Sequence, residues 1–490
     1  MPDTDQPVPI LVWFREDLRL DDNPALAAAL SPGSPVVAVY VREEGPDAPR
    51  APGGASRWWL HHSLTRLSDD LKQAGIPLVL RRGPAEETLR GLAAETGASR
   101  ILWNRRYDPA GIAIDTALKA AFKADGVTAE SFSATLIAEP WELATGSGGP
   151  YRVFSPFFRA LIARGEPAAP RHTALPAGRR RIEVSPDSET PATLFPLPTS
   201  PDWAGGLRET WEPGEAGALR RLETFLDDGL ERYAEKRDEP ASQATSLLSP
   251  HLRFGEISPR RIWHAAAHRG ADPSSGVGDR QVAKFHSELG WREFSYHLLY
   301  HFPKLPSANF QSRFDAFPWR SDDAQLRAWT KGLTGYPLVD AGMRELWHTG
   351  YMHNRVRMVT ASFLIKHLMI DWREGEAWFR DTLVDADPAS NAASWQWVAG
   401  SGADAAPYFR IFNPTTQGEK FDPDGTYTKR WVPELSGLPQ EYLFKPHEAP
   451  REMLSQAGIR LGDTYPRPIV DHKAARQRAL DAFQTIKNAA

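Results

Sequence analysis

Residue types that hold flat, anionic ligands cluster in the second half of the chain. Glu288, Trp291 and Arg292 set an acid, an aromatic plate and a guanidinium within about one helical turn of one another. The segment from Tyr351 to Met358 adds the amide of Asn354 and the guanidinium groups of Arg355 and Arg357. Asp371-Trp372-Arg373, Asp385 with Asp387, Asn391, and the pair Trp395 and Trp397 follow. Aromatic plates interleaved with arginines are how proteins hold bases and their phosphates. Upstream, the hydroxyl-rich run Thr245-Ser-Leu-Leu-Ser249 before Pro250 has the form of a helix-capping or phosphate-contacting turn. Each of these residues also has a plain structural reading, since a lone Trp on a helix most often belongs to the core.

Other chemistries are excluded. The 490-residue chain has no cysteine, which rules out disulfide frameworks, thiolate metal sites and cysteine nucleophiles. His297 and His301 stand four apart without the glutamate of H-E-x-x-H, so the signature of a catalytic zinc is missing. No G-x-S-x-G elbow marks a serine nucleophile. The turn from Phe14 to Pro24 contains neither G-x-G-x-x-G nor G-x-x-x-x-G-K-[ST], so the usual phosphate cradles are absent as well. Lys+Arg 58 against Asp+Glu 62 leaves a net charge of −4, and a nucleic-acid partner would have to be held by a local basic patch. No segment approaches the roughly 20 apolar residues of a membrane helix, and the start is acidic and apolar-poor, which predicts a soluble cytoplasmic protein without a membrane partner.

The elements that must position these residues fall into two kinds. From Pro9 to about Ser133, short apolar runs starting at Ile10, Val36, Pro77 and Arg100 each precede a helical pattern, the alternation of a parallel sheet covered on both faces. The clearest helix is predicted over 56–75, with Leu60, Leu64, Leu67 and Leu71 in its core stripe, Ser56 capping its start and Gly75 its end. Residues 134–213 are rich in Pro and Gly, with Arg179-Arg-Arg and Pro186 to Pro201 especially loop-like, and are predicted to form a long linker. Beyond Pro213 the strand pattern stops. Helical spacing is predicted over 215–236 and near 256–269, 277–301, 322–331, 338–349, 352–370 and 374–383. The expected fold class is α/β, with a doubly wound parallel-sheet (Rossmann-like) domain at 1–133, an interdomain linker at 134–213 and an all-helical domain at 214–490. Composition and periodicity stop at a protein that binds an aromatic, phosphate-bearing ligand.

Longer motifs carry a resemblance. Leu11-Val-Trp-Phe-Arg-Glu-Asp-Leu-Arg-Leu, the run from Thr245 to Pro259, Thr334-Gly-Tyr-Pro-Leu-Val-Asp-Ala-Gly-Met-Arg, Met352-His-Asn-Arg-Val-Arg-Met, and Trp395 through Pro414 resemble the photolyase and cryptochrome flavoproteins over essentially the whole chain. The resemblance implies FAD in the helical domain, an antenna chromophore on the α/β domain, and light-driven splitting of cyclobutane pyrimidine dimers in damaged DNA. It implies that Tyr233, Thr245, Ser246, Leu247 and Ser249 hold the flavin's phosphates and ribityl chain. Arg357 and Asp385 match a salt bridge beside the isoalloxazine, with Asp387 and Asn354 nearby, and Asn391 matches the residue facing flavin N5. A neutral amide at that position favours keeping the fully reduced anionic flavin, where plant cryptochromes carry Asp.

By the same resemblance, Trp291 and Trp397 match the plates that sandwich a flipped-out dimer, and Glu288 the acid that hydrogen-bonds its pyrimidine edges. Arg237, Arg292, Arg355 and Arg410 match positions lining the DNA face, with Met358 among them. Trp395, Trp372 and Trp319 match an electron-relay triad. The double-histidine pattern of (6-4) photolyases is not seen around Met352-His-Asn-Arg, which favours cyclobutane dimers. The motifs at Ala55-Ser-Arg-Trp-Trp and Trp103-Asn-Arg-Arg-Tyr-Asp are similar to the plant-cryptochrome-like, class III branch of bacterial photolyases. That branch implies 5,10-methenyltetrahydrofolate as antenna, with Asp108 as a contact; a deazaflavin or an empty antenna site are the alternatives. A monomer is the family's default. The alternative activity is a cryptochrome-type blue-light receptor without repair.

Overall fold

The computed structural model describes residues 8–31, 33–175, 187–405 and 409–488. Five parallel strands, β1 (Ile10–Phe14), β2 (Val36–Glu43), β3 (Leu78–Gly83), β4 (Arg100–Asn104) and β5 (Thr128–Phe132), form a sheet in the order β3-β2-β1-β4-β5. The continuous apolar run of β1 is buried throughout because both faces are covered. Alternation divides it: Ile10, Val12 and Phe14 pack with the leucines of the Gly54–Gln73 helix, while Leu11 and Trp13 face Leu118 and Phe122 on the other side. The fifth strand was not expected from the sequence. Its residues are half polar and none is fully buried, as suits an edge position.

The Gly54–Gln73 helix begins before the predicted cap. Ser56 lies buried inside its first turn, and Gly53 at the cap position makes no side-chain bond. The Gly54 amide instead donates to Asp381 Oδ1 at 2.8 Å, so the helix start is capped from the helical half of the molecule. Gly75 ends the helix in the left-handed region, with φ +72°.

The stretch expected to be a plain linker contains the helices Phe154–Ala163, Pro191–Leu194 and Gly205–Thr210. Phe157 and Leu161 of the first are buried against Phe294 and Leu298 of the long helix Asp279–His301, a helical apolar spacing masked by surrounding Pro and Gly. The Pro191–Leu194 turn, inside the stretch predicted to be loop, is capped by Thr190 Oγ1, which accepts from the Thr193 amide at 3.1 Å. Arg179-Arg-Arg and Pro186 lie outside the described residues.

In the helical half, Pro259–Ala271, Asp279–His301, Asp323–Thr330, Pro337–Thr349 and Trp372–Thr382 fall close to the predicted spans. The predicted 215–236 helix is broken: after Thr224 a π-turn (Phe225–Gly229) and a 3₁₀ turn (Leu230–Arg232) lead into Tyr233–Lys236. The 352–370 pattern likewise becomes the helix Asn354–Ser362 followed by a π-turn, Phe363–Leu368. The helix Pro388–Ala399 was not expected. It is surrounded by other helices and carries no one-sided apolar stripe, so helical periodicity gave no signal there. Among the described residues no helix is long and apolar enough to cross a membrane.

Candidate functional site

A cavity of about 590 Å³ opens between Tyr233–Lys236, Asp279–His301, Asn354–Ser362 and Pro388–Ala399. Its size is in the range of small-molecule and cofactor sites. Of the predicted cofactor-holding residues, Tyr233, Ser246, Ser249, Asn354, Arg357, Asp385, Asp387 and Asn391 line it. So do Glu288, Trp291 and Trp397, and with them Arg237, Arg292, Arg355, Met358 and Trp395. Residues predicted from segments 233–249, 288–292, 354–358 and 385–397 thus converge on one space.

One corner is polar. Arg357 donates from Nη2 to Asp385 Oδ2 at 2.8 Å and from Nε to the Met352 carbonyl at 2.6 Å. Burial alone would lower the guanidinium, but the neighbouring Asp385 carboxylate holds it above its ordinary value. Ser249, at the first position of its helix, donates its hydroxyl to the same Asp385 oxygen at 2.6 Å. The other carboxylate oxygen, Oδ1, is buried without a protein partner. An orphaned anionic acceptor beside an arginine is a place for a ligand hydroxyl. Asp387 has a second duty: Oδ1 caps Pro388–Ala399 by accepting from the Ala389 and Ser390 amides at 2.9 and 2.7 Å, and Oδ2 accepts from Tyr296 at 2.7 Å. Thr245 and Leu247 stand behind the cavity. Leu247, at φ +52°, packs on the core of the α/β half.

At the mouth, Glu288 is ion-paired with Arg237 and with Lys284 at 3.1 Å. Arg237 is therefore inside the mouth rather than on an open face, and its side chain is only 12% exposed. Arg292 is similarly engaged: it donates to the Thr135 carbonyl at 2.7 Å and lies 4.9 Å over the Tyr296 ring. Arg355 pairs with Asp238 at 2.7 Å and stacks 4.3 Å over Phe421. Arg410 lines a neighbouring, more basic hollow with Arg355, Lys420 and Arg476. Trp291 is backed by Phe154, whose ring is stacked 3.8 Å away at 8°.

On the inner wall, Trp395 is buried between Phe379, 4.9 Å away at 70°, and Trp329, 6.3 Å away at 69°. Its indole Nε1 has no protein partner. Trp372 is fully buried, donating to Asn309 Oδ1 at 2.9 Å, and Trp319 is half-buried against Phe317 at 4.5 Å. Neither lines the cavity: Trp372 belongs to the main core of the helical half, and Trp319 packs on the cluster formed with the C-terminal helix His472–Asn488.

In the α/β half, the crevice beyond the carboxyl ends of β1 and β4 is where doubly wound sheets usually bind ligands. Here ion pairs fill it: Arg15 reaches Asp115 at 2.7 Å, and Arg106 grips both oxygens of Glu43 at 2.6 and 2.9 Å. Asp108 caps the following helix by accepting from the Gly111 amide at 2.9 Å. His297 Nε2 accepts from the Tyr151 amide at 2.9 Å, and both His297 and His301 bond the Pro140 carbonyl. Among the described residues no group of His, Asp and Glu is arranged for a metal.

Several residues that shape the site were missed from sequence. Glu376 holds the Asn391 amide, Arg50 of the first domain holds Glu376, and Gly375 makes room for the Trp395 ring. Phe154, in the supposed linker, supports Trp291. A strand-free, charged helix face and a Pro-rich loop gave no signal for any of these.

A family model described as DNA photolyase matches residues 10–177, and one described as FAD binding domain of DNA photolyase matches residues 285–485. The chain is 57% identical over 481 residues to a deoxyribodipyrimidine photo-lyase of Agrobacterium fabrum, covering 98% of each. It is 39% identical to Cryptochrome-1 of Arabidopsis thaliana over 97% of this chain and 70% of that one. The crystal structure of a bacterial class III photolyase from Agrobacterium tumefaciens superposes with a TM-score of 0.94 at 56% identity, covering 100% of this chain and 99% of that chain.

Proposed function

The chain belongs to the DNA photolyase family, and from that premise we propose that it repairs cyclobutane pyrimidine dimers in DNA, using blue light and reduced FAD. The helical half carries the family's FAD-binding domain. When bound, FAD supplies the photoexcited one-electron donor. The cavity residues fit that group: the orphaned Asp385 Oδ1 awaits a donor, and Ser246 and Arg357 offer a hydroxyl and a cation to a phosphate-bearing chain.

The observation that carries the reading is the shared cavity. Trp291, Trp397 and Glu288 line the same space as Arg357, Asp385 and Asn391, so a flat substrate entering between the indoles meets the cofactor directly. Photolyases are known to flip the dimer out of the duplex, and the two indoles would then replace its lost stacking. Glu288 would exchange Arg237 for the pyrimidine edge, releasing that guanidinium toward the strand. Arg355 and Arg410 are assigned to backbone phosphate, with Arg292 and Met358 shaping the mouth. Trp395, Trp372 and Trp319 are assigned to the refilling of electrons. The unit 1–133 is assigned to the antenna, methenyltetrahydrofolate, with Asp108 on its rim, 134–213 to the connection and 214–490 to FAD and DNA. A monomer acting in the cytoplasm completes the reading. Similarity to Cryptochrome-1 supports a receptor instead, but Asn391 and the far higher identity to a photo-lyase favour repair.

The test is direct. Purified, reduced protein illuminated with blue light on an oligonucleotide carrying a thymine dimer is expected to return intact thymines in a light-dependent way. No recovery above the dark control refutes the repair reading.

A further inference from the structure

Asn391 cannot present either end of its amide to the cavity at will. Its Nδ2 donates to Glu376 Oε1 at 2.9 Å and to the Glu376 carbonyl at 3.2 Å, which uses both amide hydrogens on acceptors that have none to give. Flipping the amide would set its oxygen against two acceptors and lose both bonds. Asn391 lines the cavity, so the group left for a ligand there is the carbonyl oxygen.

Glu376 is itself held from outside the helical domain. Its side chain is 6% exposed, and Arg50, on the loop between β2 and the Gly54–Gln73 helix, bonds both carboxylate oxygens from Nη1 at 3.0 and 2.8 Å. The loop is stitched to the Trp372–Thr382 helix again just beyond that contact. Arg380 donates to the Ala51 carbonyl at 2.7 Å, and Asp381 accepts from the Gly54 amide at 2.8 Å. A Cβ on Gly53 would collide with Asp381 Cα and with the Arg380 carbonyl group, so the two backbones meet without a side chain between them.

We infer that Arg50 and Glu376 are positioning residues through which the α/β domain fixes the Asn391 amide with its oxygen toward the flavin. The inference rests on the FAD-binding reading above and not on repair. An oxygen facing the cavity accepts from a ring N–H, which the reduced cofactor offers, and has nothing to accept from an oxidised ring nitrogen, which needs a donor. The Arg50–Glu376 device therefore favours the reduced state of bound FAD.

The test is the midpoint potential of bound FAD in Arg50→Ala/Glu376→Gln. This pair of changes removes one positive and one negative charge, so the local charge balance is kept and the shift reads amide orientation. The expected result is about a tenfold loss in the reduced-to-oxidised ratio at fixed potential, about 30 mV lower for a two-electron couple. Arg50→Ala is expected to move the potential in the same direction and Arg50→Lys to return it toward wild type. In parallel, the side-chain amide protons of Asn391 in ¹⁵N-asparagine-labelled protein are expected to exchange at least tenfold faster in Arg50→Ala than in wild type. An unchanged potential in the double variant, or equal amide exchange where FAD is lost, overturns the inference. Failure of dimer repair by the wild-type protein would overturn the repair reading and leave these measurements intact.

Discussion

Gly375 sits on the Trp372–Thr382 helix with the Trp395 ring against its backbone. A Cβ placed there would lie 2.5 Å from Trp395 Cζ3 and 2.7 Å from Leu364 Cδ2, with Cη2 closer still. Carbon atoms rest at about 3.5–4.0 Å, so Gly375→Ala requires the indole to move by about 1 Å or more. Two effects of opposite sign then compete. Alanine in a helix interior gains about 0.5–1 kcal/mol over glycine, whereas overpacking a core costs typically about 1–3 kcal/mol. Overpacking prevails because the ring is also packed against Phe379 and Trp329, leaving the cavity it lines as the direction of relief. The variant is expected to be about 1–2 kcal/mol less stable in urea unfolding and to retain FAD about tenfold less tightly. Gly91→Ala is the control: it lies in the helix Ala85–Thr96 with nothing within 4 Å of its added Cβ, and is expected to gain a few tenths to about 1 kcal/mol. If Gly375→Ala matches that gain with a full complement of FAD, the packing argument is wrong.

Trp395→Phe is expected to abolish photoreduction of bound FAD while leaving repair by chemically reduced enzyme; because the indole N–H has no protein partner, the exchange removes packing but no protein hydrogen bond. Photoreduction at the wild-type rate would eliminate Trp395 from the relay. Glu293, buried in the Asp279–His301 helix, is pushed up to about 7 by burial, although the Ile137 and Ala138 amides donate to it. Its folded-state value lies above the ordinary 4.5, so the ionised form destabilises the fold: the penalty is absent below about pH 4.5, grows up to about pH 7 and is complete above it. Glu293→Gln keeps an acceptor for both amides and is expected to be more stable than wild type at pH 8, by up to about 3 kcal/mol, with the difference vanishing near pH 4. Denaturant titrations at the two pH values check this, and a pH-independent difference would contradict it.

The cavity was legible in outline because its residues are chemically conspicuous. Arginines, hydroxyls and indoles at 245–249, 288–292, 354–358 and 385–397 are costly to bury without a purpose, and the structure gathers most of them around one space. What escaped was whatever looked ordinary locally. Glu376 stands among Arg373, Glu374, Arg380 and Asp381 and reads as a solvated helix face, yet it is buried under Arg50. Phe154 lies in a Pro- and Gly-rich stretch, and only the fold reveals that it backs Trp291. The helix Pro388–Ala399 is packed among several helices, so the residues that matter most within it carried no helical stripe. Thr245 and Leu247 differ from their neighbours in the motif: neither lines the cavity, and Leu247 packs on the α/β core.

These misses share a cause, and it bears on how the two halves depend on each other. Local patterns report what a residue does within its own element, whereas Arg50 and Glu376 are 326 residues apart. Arg50 to Glu376, Arg380 to the Ala51 carbonyl and the Gly54 amide to Asp381 all join the α/β half to the single helix directly behind Asn391. The same contacts cap the Gly54–Gln73 helix, which lacks a cap of its own. Each half thus completes a group the other leaves unsatisfied: a helix start on one side, a buried carboxylate on the other. An isolated helical half would keep the arginine and aspartate that hold FAD but would leave Glu376 without its cation and the Asn391 amide without a fixed orientation. The α/β domain is on this geometry part of the redox site, independently of any chromophore it carries.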